Sequence, residues 1–417
     1  MKNKFLLYCF VWCSAIATSL SSCGDDDLGV PAGQLTMGTA TVTLTGISEG
    51  LEGMDVQVRN ISTGSVFIEP TSARGDAAFT LPPGIYEASV SASRQEGKKR
   101  YVFNGVSGQF TVFGNQQANV NVPMRRVGIN PLVIKELYCG GCMMNDGITA
   151  FHYDKCVILY NNSSETLTME NLCFGMVAPA NAQATNNNYG ADGRLVYEKD
   201  GFLPLWNGIW YFPAALTIEP YSEVVVVVHG AINNTLTVKQ SVNYANSDYY
   251  CMFDPVSGYD NPRYNPTPAD VIPASHYLKA VTYALGNAWP LSNTSPALVV
   301  FQTQGKTPAE FGADASNYWY DGGGAQLSKR CVKVPNEWVI DAVEVFSNDY
   351  PTQSVKRLTA DVDAGYVGLT NKQGHALCRR VDEEATAASG GHTVYQDTNN
   401  STNDFYESPS CSLRESK

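Results

Sequence analysis

Positive charge is scarce in this chain. Its 417 residues hold 28 Lys and Arg against 40 Asp and Glu, and charged residues are only 16% of the total. A nucleic-acid binder needs a basic stripe to displace counterions, so no nucleic-acid partner is expected. Local runs such as Lys98-Lys99-Arg100 are too short to supply one. Long apolar stretches are missing beyond the N-terminus, which excludes a polytopic membrane protein. No Gly-X-Y period or heptad run is present, so collagen and coiled coil fall away. Histidine is rare, at 5, with no His-Glu-x-x-His motif and no phosphate-binding glycine loop. His229 ends a buried-looking strand without an identifiable catalytic partner. The chain therefore reads as non-enzymatic, although a carboxylate pair assembled only by the fold would be invisible at this level.

What the chain does have begins with sulfur. It carries 11 cysteines, 44% hydrophobic residues and 23 tyrosines. That much apolar surface offsets ordering entropy, so the chain is globular, and its length suggests two or three domains. Lys2 and Lys4 followed by the apolar run 5–17 form a secretory signal over residues 1–22, too short for a membrane span. It ends Leu20-Ser21-Ser22-Cys23-Gly24, which resembles the bacterial lipobox. The resemblance implies a diacylated Cys23 as the mature N-terminus, and two or more acyl chains anchor stably where one binds marginally. Asp25-Asp26-Asp27 resembles the acidic export tag of surface lipoproteins in Bacteroidota. The expected location is the outer membrane, lipid-anchored and facing out. Cys9 and Cys13 leave with the signal and Cys23 takes the lipid. Eight cysteines remain: Cys139, Cys142, Cys156, Cys173, Cys251, Cys331, Cys378 and Cys411. An even number in an oxidising compartment reads as disulfides.

Residues 23–34 are the lipidated tether. From 35 to 126 short runs alternate apolar and polar residues, as in 40–45, 54–59, 65–68, 86–91 and 118–122. About seven such strands predict a β-sandwich. The corner Leu81-Pro82-Pro83-Gly84-Ile85-Tyr86 resembles that of transthyretin-like and carboxypeptidase-regulatory-like domains, which implies an Ig/transthyretin-like spacer or adhesive module. Residues 127–417 predict a larger β-sandwich with long loop insertions near 176–215 and 240–330, so the fold class expected is all-β. Five valines, 224–228, predict a strand buried on both faces. Residues 309–315 and 273–285 are the best short helix candidates. Ile134-Lys135-Glu136-Leu137-Tyr138, Leu159-Tyr160-Asn161-Asn162, Trp338-Val339-Ile340-Asp341 and Asp397-Thr398-Asn399-Asn400-Ser401 resemble the strands of lamin-tail-like domains. Where those domains hold an acid, this chain has Ile158. The whole arrangement resembles an uncharacterised family of Bacteroidota outer-membrane lipoproteins.

Three groups of residues are candidates for chemistry. Cys139-Gly140-Gly141-Cys142 could be a redox pair, but that needs a helix N-terminus to lower a thiol pKa. It could be a soft-metal site with Met143, His152 and Cys156. Structural disulfides are the preferred reading, since no second Cys-x-x-Cys supports zinc. Asp397, Asn399, Ser401 and Asp404 alternate as calcium ligands do, although the same residue types also bond turn backbone. No other cofactor is expected. The insertions are rich in aromatics: Trp206, Trp210, Tyr211, Tyr249, Tyr250, Tyr259, Tyr264, Trp289, Tyr318, Trp319 and Tyr320. They are candidates for a platform that binds a glycan or peptide ligand, or else they fold the long loops down. The function expected is a surface lipoprotein that binds a ligand or partner, as an accessory to an outer-membrane TonB-dependent transporter. A structural or adhesive lipoprotein and a surface hydrolase with its site in the insertions are the alternatives.

Overall fold

The computed structural model describes residues 36–414 apart from 49, 97, 98 and 129. The signal, Cys23 and the tether lie outside the described residues. The protein is almost entirely β, as its composition implies.

The first unit is built from β1 (Gly38–Thr45), β2 (Asp55–Asn60), β3 (Val66–Pro70), β4 (Asp76–Leu81), β5 (Gly84–Glu96), β6 (Lys99–Val106), β7 (Phe110–Val112) and β8 (Gln117–Gly128). The hydrogen-bonded path runs β3-β2-β5-β6-β8-β1-β4, with β7 on β5. β8 serves both layers. Its first half lies parallel to β1, and its second half antiparallel to β6. The two-residue side-chain period sends Ala40, Val42 and Leu44 of β1, and Tyr86, Ala88 and Val90 of β5, into one core between the layers. The Tyr86 hydroxyl donates to Pro82 O at 2.7 Å, so the aromatic pins the proline corner that precedes it.

The second unit stacks three sheets. The first orders Tyr250–Cys251, Glu223–Val227, Cys156–Asn161, Leu132–Tyr138, Ala376–Arg379 and Phe405–Ser408. The second orders Lys279–Thr282, Gly208–Tyr211, Leu172–Met176, Ala297–Gln302, Val339–Ser347 and Val367–Leu369. Ile134, Leu159 and Val226 of one meet Phe174, Val300 and Val343 of the other in the main core. Neither sheet leaves its far face bare. Val242, Tyr244, Ile272 and Cys411 cover the first. A three-stranded sheet of Phe202–Trp206, Arg330–Pro335 and Tyr318–Tyr320 covers the second through Leu203, Leu205, Val332 and Val334. Val225–Val228 are accordingly buried on both faces, as their unbroken apolar run predicts.

Two sequence expectations need correction. Residues 273–285 do not form a helix: a 3-10 turn, Ala274–His276, leads into the strand Lys279–Thr282, which adds to the edge strand Gly208–Tyr211. The β-branched Val281 and Thr282 suit that pairing. Only 309–315 of the two candidates is helical, as Pro308–Ala313. The eight cysteines also form no disulfide; each is a free thiol. Cys139 lies in the main core, Cys173 against the three-stranded sheet, and Cys156, Cys251 and Cys411 share the far face of the first sheet, where the Cys156 and Cys411 thiols hydrogen-bond each other.

A buried ion pair ties the second unit together. Arg357 and Glu344 are both fully buried, and the guanidinium donates to Glu344 Oε1 from Nε (2.9 Å) and Nη2 (2.7 Å). It also donates to Pro179 O at 3.0 Å and Ser295 O at 2.8 Å. Glu344 Oε2 accepts the backbone N–H groups of Arg357 and Leu358. The second unit rests on the outer face of the first through Arg125–Asp361 (2.9 Å), Asn104 Nδ2 to Thr398 O (2.9 Å) and Arg59 to the Tyr366 hydroxyl (2.6 Å).

Candidate ligand-binding cleft

A cleft of about 690 Å³ opens on the outer face of the three-stranded sheet. Strand register explains its lining. Phe202 stands opposite Pro335, and Pro204 opposite Lys333. On the other side Trp319 pairs with Cys331. Alternate residues share a face, so Phe202, Lys333, Asn317 and Trp319 point the same way, while Leu203, Val334 and Tyr318 turn toward the core. Phe202 and Trp319 meet edge to face, with centroids 6.1 Å apart, and Tyr197 buttresses both. The carboxylates of Asp200 and Glu337 stand exposed at the rim.

The cleft wall is locally over-determined. Thr307 Oγ1 accepts from Glu310 N, and Glu310 Oε2 accepts from Thr307 N at 2.9 Å, a reciprocal cap on the helix Pro308–Ala313. Asp314 then caps the next turn through Ser316 N, and Asn317 Nδ2 donates back to Phe311 O at 3.0 Å. These bonds deliver Asn317 and Trp319 in a fixed orientation. Beyond them, Gly322, Gly323 and Gly324 all adopt positive φ, the left-handed backbone that turns the chain back toward Arg330.

Of the eleven aromatic candidates, Trp319 alone lines this cleft. Trp210, Tyr259 and Trp289 are buried to within 1% and belong to the main core, which corrects their reading as ligand platforms. Trp289 donates Nε1–H to Gly208 O at 3.0 Å, and Tyr259 packs 5.7 Å from Trp210. They pin the long insertion to the sheet because so long a loop needs a core of its own. Tyr250 stacks on His276 at 4.1 Å, Tyr249 packs against the apolar cluster on the far face of the first sheet, and Tyr264 sits edge-on to Tyr153. Tyr318 and Tyr320 hold Arg330 on the face of the strand opposite Trp319. Trp206 donates to Ser328 O, and Tyr211 lies half-buried against the three-stranded sheet.

The calcium candidates are engaged otherwise. Asp397 lies 3.2 Å and Asp404 3.7 Å from the buried guanidinium of Arg379, which also bonds Asp341. Asp404 accepts from Thr398 N and Asn400 N, Ser401 donates to Asp363, and Asn399 supplies a left-handed turn. Among the described residues no three His, Cys, Asp or Glu side chains come together to hold a metal. The Cys-Gly-Gly-Cys thiols point away from redox chemistry, since burial pushes Cys139 and Cys142 up to about 12. Burial also drives His229 well below its ordinary value, and its Nε2 pairs with Trp289 O. Sequence reading missed Asp154 and Lys155. Both are buried; Asp154 accepts from Ser241 (2.6 Å) and Tyr138 (3.1 Å), and Lys155 donates to Leu291 O. Burial raises Asp154 to about 7 and lowers Lys155 to about 8.

Fold and cleft together define a layered all-β protein with an open, aromatic-floored groove on an added third sheet. A family model described as a protein of unknown function, DUF4876, matches residues 219–412. The chain is similar to the crystal structure of a DUF4876 family protein from Bacteroides thetaiotaomicron, at 22% identity, over 88% of this chain and 94% of that one, with a TM-score of 0.53. That likeness establishes a shared fold. A leucine-rich repeat protein from the same organism aligns over 22% of this chain and 14% of its own, at 23% identity and a TM-score of 0.17. No curated protein matches the chain.

Proposed function

We infer that this is a non-enzymatic, lipid-anchored surface protein that binds a carbohydrate ligand in the Phe202–Trp319 cleft and presents it to an outer-membrane TonB-dependent transporter. The observation that carries the binding reading is the cleft's chemistry. A partly buried indole beside a phenyl ring offers an apolar edge for the C–H face of a sugar. Asn317, Lys333, Asp200 and Glu337 surround it with donors and acceptors for hydroxyls. A few placed polar groups around an aromatic floor are the usual makeup of a small-ligand site. The anchor and export tag in the sequence support the location, and the location supports the transporter as partner.

The test is affinity electrophoresis of the intact protein through starch, xylan and mucin glycans, with Trp319→Ala beside it. Retardation that disappears in the variant supports the reading, and equal mobility of both proteins in every glycan refutes it. Affinity purification of the anchored protein from outer membranes tests the partner: recovery without any transporter removes that part.

A further inference from the structure

The two ends of the first unit differ in kind. At one end lie the start of β1, the β4–β5 corner, the β2–β3 turn and the close of β7. The pairings Gly84 with Val112 and Gly38 with Leu81 put them together, as do the bonds from Asn115 N to Met37 O and from Ile61 N to Ile85 O. Residues 36–38, 60–66, 81–86 and 110–116 contain no Asp, Glu, Lys or Arg. They expose Met37, Ile61, Val66, Ile85 and Phe113, the last at 58%. At the opposite end the strand termini carry Glu52, Arg74, Asp76, Glu96 and Lys99. Single exposed apolar residues need no explanation, but a clustered, charge-free set at one end does.

The sequence says what lies nearest that end. Twelve residues separate Cys23 from Thr36, so the tether reaches at most about 40 Å even fully extended. It joins the fold beside Met37, in the middle of the apolar rim. β8 leaves from the charged end, and the second unit packs back along the outer face of the sandwich. An acidic chain meets an anionic membrane least unfavourably through its one uncharged end.

We propose that this end of the sandwich docks on the lipid bilayer, with Met37, Ile85 and Phe113 seated at the boundary between headgroups and acyl chains. The proposal rests on the reading of Cys23 as lipidated. Docking fixes the orientation of the sandwich, and with it that of the second unit packed on its outer face. The occupant is a lipid surface rather than a second copy of the chain, because the rim surrounds the point where the anchor enters.

The lipidated full-length protein is placed in vesicles of phosphatidylethanolamine and phosphatidylglycerol, with and without brominated acyl chains. Every tryptophan after the signal lies in the second unit, so Phe113→Trp adds an indole reporter at the rim. Leu236→Trp adds one at an 81% exposed site of the second unit. Brominated lipid should quench the added emission of Phe113→Trp at least about threefold more than that of Leu236→Trp, and Ile85→Asp in the same background should reduce it. Mass measurement of the N-terminal peptide reads acylation separately. An unacylated Cys23 overturns the anchor reading and the proposal with it. An acylated protein in which both reporters are quenched alike, or in which the rim indole is shielded by a dimer in sedimentation, overturns the docking face alone.

Discussion

Replacing Arg357 by Met tests the energetics of the second unit most directly. The guanidinium makes two bonds to Glu344 and one each to Pro179 O and Ser295 O, all of them in water-free surroundings. Methionine roughly fills the space but leaves a buried carboxylate without its cation and two carbonyls without donors. Breaking a buried pair from one side costs about 3–5 kcal/mol. In a unit of this size that lowers the thermal midpoint by roughly 10 °C. The five tryptophans of the described residues, Trp206, Trp210, Trp289, Trp319 and Trp338, all lie in the second unit. Intrinsic fluorescence in urea therefore follows that unit and not the sandwich. The double variant Arg357→Met with Glu344→Gln removes both charges, and it should recover at least about half of the loss, because the uncompensated charge and not the lost contacts dominates. A single variant within about 1 kcal/mol of the parent would refute the ledger. A double variant no better than the single would show instead that the carbonyl bonds carry the energy.

Three further outcomes follow from the structure. Trp319→Ala should weaken glycan binding by about 1–3 kcal/mol, roughly five- to 150-fold, read by calorimetry against a bound glycan. It should also lower the urea midpoint, because the indole packs on Tyr197 and Phe202, so binding is compared where both proteins are folded. Asp154 holds its proton up to about 7 in the folded state, whereas an unfolded aspartate releases it near 4. The folded state thus binds the extra proton between those values, and the stability Asp154 contributes is full below about 4 and lost as pH rises to about 7. Asp154→Asn should flatten that slope in urea midpoints taken across the interval, and an unchanged slope would count against the burial of the acid. Residues 36–414, unfolded in guanidinium without reductant, should present eight reactive thiols to Ellman's reagent. A shortfall of two, mapped to Cys156 and Cys411, would show that the contact between these thiols on the far face of the first sheet had been oxidised.

How much of this was legible in the sequence depends on the length scale of the signal. The alternation in 40–45 and 86–91 placed strands and their inner faces, because a two-residue period is set by the chain itself. The run of valines gave a doubly covered strand for the same reason. β6 was not read, since its start lies in the charged stretch around Lys99 and only pairing with β5 and β8 makes it a strand. In the site, Trp319 was named among eleven aromatics, but nothing local separated it from Trp210 and Trp289, which are equally aromatic and wholly buried. Phe202, Lys333 and Glu337 were missed because they become neighbours of Trp319 only through cross-strand register. Arg379 was likewise invisible as the partner of Asp397 and Asp404; the alternating acids looked like an ion loop until the fold delivered a guanidinium among them.

The parallel pairing of β1 with β8 has a mechanical consequence. The chain enters the first unit at the start of β1 and leaves it at the end of β8, and the two strands lie side by side over seven residue pairs, Thr39 with Gln117 through Thr45 with Pro123. Tension drawn between the entry and the exit therefore pulls these neighbours along their lengths in opposite senses. The ladder is loaded all at once, as a lap joint is, and cannot be peeled one bond at a time. A drag on the far unit would reach the N-terminal entry of the sandwich along this shear-loaded ladder.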